Sequence, residues 1–135
     1  MNYKGVPPMT PERWIANLIE AAGEIANKDK QERRWLAPNA RAWERPEELI
    51  SVLFDDSNFE LFIDEYKSTF VEEQGRAASE LRDDMNHYCD TTPEWLDPNE
   101  VLADPRWETI RRKASAFVEA FKDKWPTVST TRDTS

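Results

Sequence analysis

Apolar residues recur every three or four positions along most of the chain, and that spacing predicts helices. From Pro11 they fall at Trp14, Ile15, Leu18, Ile19, Ala22, Ile25 and Ala26, with Arg13, Glu20 and Glu24 opposite, which predicts a helix over 11–28. Thr10-Pro11 supplies its start: a hydroxyl for the free N–H groups, then a proline where no N–H is needed. A short helix follows around 30–36, ended by Pro38-Asn39. Pro46 opens the next, roughly 46–55, through the densest apolar run (Leu49, Ile50, Val52, Leu53, Phe54). Ser57-Asn-Phe-Glu60 reads as a capping box, in which serine and glutamate satisfy each other's backbone donors, and it opens a helix at about 58–68. Phe59, Phe62, Ile63 and Tyr66 share one face of that helix. Leu61 falls on the other, between Asp64 and Glu65, so either both faces are buried or Leu61 is an exposed apolar residue ringed by acids.

Thr69 to Cys89 reads as a longer helix, with Val71, Ala78, Leu81, Met85, Tyr88 and Cys89 as its apolar stripe and Glu73, Glu80, Asp84 and His87 on its wet face. Asp97-Pro98 and Asp104-Pro105 are two more capped proline entries, predicting a single turn at 98–103 and a helix over 105–125 that carries Trp107, Ile110, Ala114, Phe117, Val118, Phe121 and Trp125. No segment alternates with a period of two, and no Asn-Gly or Asp-Gly hairpin signal occurs. The expectation is an all-α, single-domain bundle of five or six helices over residues 1–126, with a disordered tail at 127–135. The stretch 46–70, where core and charge coincide, is the expected centre. Trp35 and Trp43 are expected to plug the core from the connection between helices.

Composition narrows the function classes. The 135 residues make one domain, with net charge −9 and a pI near 4.7. That balance opposes nonspecific binding to nucleic acid or to anionic membrane and favours a basic partner. The arginine pairs are interleaved with acids, so no nucleic-acid groove is expected. No run of about 18 apolar residues exists to span a membrane, and the opening residues lack the apolar core of a secretory signal. A single cysteine forms no internal disulfide; with the missing signal, this leads to the expectation of a cytoplasmic protein.

Candidate chemistry is sparse. Asp84-x-x-His87, with Glu80 one turn earlier, has metal-ligand spacing, but the chain holds only one histidine and a solvated helix face accounts for the three residues. Cys89 lies on the apolar stripe and reads as a buried, inert thiol. Three glycines do not build a phosphate cradle. No enzyme activity, cofactor or metal is expected.

The acids carry the remaining signal. Residues 44–73 contain ten acids against Arg45 and Lys67, a net of −8 out of the chain's −9. Arg13-Trp14, Trp35-Leu36, Leu53-Phe54-Asp55-Asp56 and Leu102-Ala-Asp-Pro-Arg-Trp107, in that order, resemble small acidic helical proteins of bacteria, some of them immunity proteins of polymorphic-toxin or contact-dependent inhibition loci. The resemblance implies a protein that binds and blocks one cognate toxin domain, often a basic nuclease. Asp55, Asp56, Glu60, Asp64 and Glu65 are then the partner-binding acids, with Leu61 and Trp43 as the apolar centre. Two alternatives stand beside it: a nucleic-acid mimic that inhibits a DNA-binding enzyme, with carboxylates in rows across more than one helix, and a metal enzyme built on Glu80, Asp84 and His87.

Overall fold

The Thr10 hydroxyl accepts a hydrogen bond from the Arg13 N–H at 3.1 Å, and from Pro11 the chain winds into helix α1 (Pro11–Ala26). The structure is a computed structural model and describes residues 10–37, 45–92 and 97–122. Asn27 breaks the helical path one residue earlier than the periodicity suggests, and its side chain accepts from the Lys30 N–H at 3.0 Å to start α2 (Lys28–Trp35). Helix α3 (Pro46–Ser51) runs directly into a π turn, Val52–Asp56. Helix α4 (Phe59–Tyr66) ends in a 3-10 turn, Lys67–Thr69. Then come α5 (Glu72–Asp90), α6 (Pro98–Ala103) and α7 (Pro105–Phe121). Asp97 and Asp104 cap the last two, accepting from the N–H groups of Asn99 and Arg106 at 3.0 and 2.9 Å. The described residues contain no strand, and the fold is an all-α single-domain bundle. The lead 1–9, Pro38-Asn39, Trp43, Trp125 and the tail 127–135 lie outside the described residues.

The organising element is α7 rather than the stretch 46–70. It packs along α1 and along α5, which are the two most extensive helix pairings of the bundle. Its apolar face is aromatic at both ends. Phe117 and Phe121 meet at 4.7 Å between ring centroids, and Phe59, Phe62 and Phe70 pack edge-on against them at 5.4, 6.0 and 5.1 Å. At the other end Trp107 touches Trp35 at 6.1 Å and Tyr88 at 5.6 Å. Trp35 is buried, as a core plug should be. Burying each such ring contributes on the order of 1.5–3 kcal/mol, so α4 and the chain after it are pinned to α7 by side chains on one face only.

Two buried glutamines tie helix ends together. Gln31 donates its amide to the carbonyls of Glu24 and Ile25 at the end of α1, at 2.9 and 2.7 Å, and accepts the Trp107 indole N–H at 3.2 Å. Gln74 donates to the Ala120 carbonyl at the end of α7, at 3.2 Å, and accepts from the Val71 N–H at 3.1 Å. The last carbonyls of a helix have no intrahelical partner, and these amides supply one.

Three local expectations are corrected. The capping box at Ser57–Glu60 does not form. Asn58 takes a left-handed conformation (φ 51°) and becomes the residue before the helix, and no side chain caps it. Ser57 is turned inward, its carbonyl accepting the Trp14 indole N–H at 2.7 Å, while the Glu60 carboxylate accepts from the Asn86 amide at 2.9 Å instead. The helix predicted from Thr69 begins at Glu72, because a 3-10 turn and extended Phe70 and Val71 intervene, and Val71 is exposed. Cys89 is exposed rather than buried. Tyr88 takes the inward position, and the next residue on a helix points about 100° away.

Candidate functional site

The residues from Asp55 to Glu65 come from two geometries. The π turn ends in Asp55 and Asp56, both exposed, and the Ser51 hydroxyl donates to the Asp55 carboxylate at 3.2 Å. Helix α4 buries Phe59, Phe62 and Ile63 and therefore turns Glu60, Leu61, Asp64 and Glu65 outward. Residues four apart are neighbours on a helix surface, so Glu60 adjoins Asp64 and Leu61 adjoins Glu65. Leu61 is 49% exposed. Both alternatives for this residue were open in the sequence, and the structure selects exposure among acids. Leu36 and Val71 are exposed too, but they lie at helix ends, whereas the turns on either side fix the direction of Leu61.

Among the described residues no lysine or arginine comes within ion-pair distance of Asp55, Asp56, Glu60, Asp64 or Glu65. Neighbouring acids do find cations: Arg45 meets Glu47 at 3.4 Å and Arg76 meets Glu72 at 3.9 Å. Like charges four apart on a helix are destabilising by roughly 0.2–0.5 kcal/mol per pair. The isolated fold thus carries a small repulsion here that a cationic surface would relieve. Trp43, the other expected apolar contributor, lies outside the described residues.

The Glu80, Asp84, His87 face of α5 is divided. The Glu80 carboxylate is held by Lys113 of α7 at 2.7 Å. Asp84 and His87 instead line a shallow cleft of about 130 Å³ together with Tyr88, Arg106, Thr109 and Ile110. Among the described residues no group of three or more histidine, cysteine or acidic side chains converges to hold a metal ion. At the edge of this cleft Arg106 clasps the connection between α5 and α7. Its guanidinium donates to both Asp104 carboxylate oxygens, at 2.7 and 3.2 Å, and to the Thr91 hydroxyl at 2.8 Å, and it lies 4.9 Å over the Tyr88 ring. The Arg106 hydrogen bond holds the Asp104 carboxyl below its usual pKa and raises that of the guanidinium in return. Burial, with Asp104 adding to it, pushes the Tyr88 phenol up to about 12. At Cys89 partial desolvation, then the Asp90 carboxylate, push the thiol pKa up, away from a reactive thiolate.

Comparison with protein-family models, curated proteins and solved structures finds no match for this chain. Of the residues at the cleft, the sequence singled out Asp84 and His87, but not Tyr88, Thr109 or Arg106; Arg106 sits inside a capped proline entry and signals only a helix start.

Proposed function

We propose that the chain is a binding protein whose outward α4 face docks on a basic protein surface and occludes it. The carrying observation is Leu61, 49% exposed in mid-helix among acids that have no cationic partner among the described residues. Acids alone steer encounter and select the sign of the partner; an apolar anchor at the centre supplies affinity. The resemblance to immunity proteins suggests the partner class, a basic toxin domain of nuclease type. Asp55, Asp56, Glu60, Asp64 and Glu65 would pair with the lysines and arginines that such a domain uses on its substrate. The five acids lie on one helix and the turn before it, an arrangement that suits one compact basic patch.

The test uses a basic nuclease-type toxin domain, its inhibition by this chain, and two variants. Reversing Asp64 and Glu65 to lysine should slow association, and the wild-type association rate should fall as salt rises. Leu61→Ala should leave urea stability within about 0.5 kcal/mol of wild type, as exposed substitutions do. It should speed dissociation, with an affinity loss of about 1–3 kcal/mol. Unchanged binding in both variants would remove this helix from the interface.

A further inference from the structure

We draw no further inference here: the strongest candidate, the apolar patch of exposed Val71 and half-buried Phe70 where the chain enters α5 beside the end of α7, carries nothing because nothing in the structure shows what covers it.

Discussion

Replacing Gln31 with leucine should destabilise the fold far more than its position in a short polar helix suggests. The residue is 2% exposed and makes three hydrogen bonds, two to the end of α1 and one from Trp107 of α7. Leucine fills similar space but satisfies none of them. The Glu24 carbonyl keeps a weaker bond from the Asn27 N–H at 3.3 Å. The Ile25 carbonyl and the buried Trp107 N–H are left stranded, at about 1–3 kcal/mol each. Leucine's added apolar burial recovers roughly 1 kcal/mol, so the net loss should be about 1–5 kcal/mol. Urea unfolding followed by far-UV circular dichroism measures it, provided the slope with denaturant is unchanged. A cycle with Trp107→Phe isolates the cross-bundle bond. The double variant should lose about 1 kcal/mol less than the two single losses added together, because the stranded indole is then gone. A stable Gln31→Leu protein, or single losses that add within about 0.3 kcal/mol, would refute the reasoning.

At Asn58 the left-handed backbone sets the order of three residues. Glycine should equal or exceed wild type, and valine should fall below it by about 1–2 kcal/mol in the same urea assay. Asp104, whose carboxyl is held below its ordinary 3.8 chiefly by the Arg106 hydrogen bond, adds stability above that pH that is lost as pH falls through the folded value. Asp104→Asn, which still caps α7, should flatten the acid limb of stability against pH, and an unchanged limb would count against the pairing. Tyr88 holds its proton in the fold until about pH 12. Its contribution is full below pH 10 and declines above it, so phenolate absorbance should show a late step near pH 12 that Tyr88→Phe removes.

Helix starts were legible wherever their chemistry is local. Thr10-Pro11, Asp97-Pro98 and Asp104-Pro105 each place a capping oxygen and a proline within a few residues of one another, and each begins a helix where expected. Ser57–Glu60 also offers a local capping oxygen, without a proline, but loses to tertiary structure: Trp14, 43 residues earlier, takes the Ser57 carbonyl, and the Ser57 N–H closes the π turn on Val52. The glutamines were invisible for a related reason. The partners of Gln31 and Gln74 are backbone carbonyls at the ends of other helices, and no side-chain pattern marks a carbonyl. Tyr88 and Cys89 were both read as stripe residues; adjacent helix positions point about 100° apart, and here Tyr88 faces the core while Cys89 faces out. On the acidic face, spacing alone placed Leu61 opposite the core face of α4. Whether a neighbour covered it depended on packing, which spacing does not report.

The π turn has a consequence for the length of this chain. Its closing bond, from the Ser57 N–H to the Val52 carbonyl at 2.9 Å, spans five residues where an α turn spans four. One residue between Val52 and Asp56 is therefore surplus to the helical path. A homologue lacking one residue there would run α3 as unbroken α-helix and still deliver Phe59 and Phe62 to the same places on α7, but its two terminal acids would point elsewhere. Single-residue gain or loss at this turn would re-aim one edge of the acidic face without disturbing the core, a route by which related chains could diverge in what they recognise while keeping one fold.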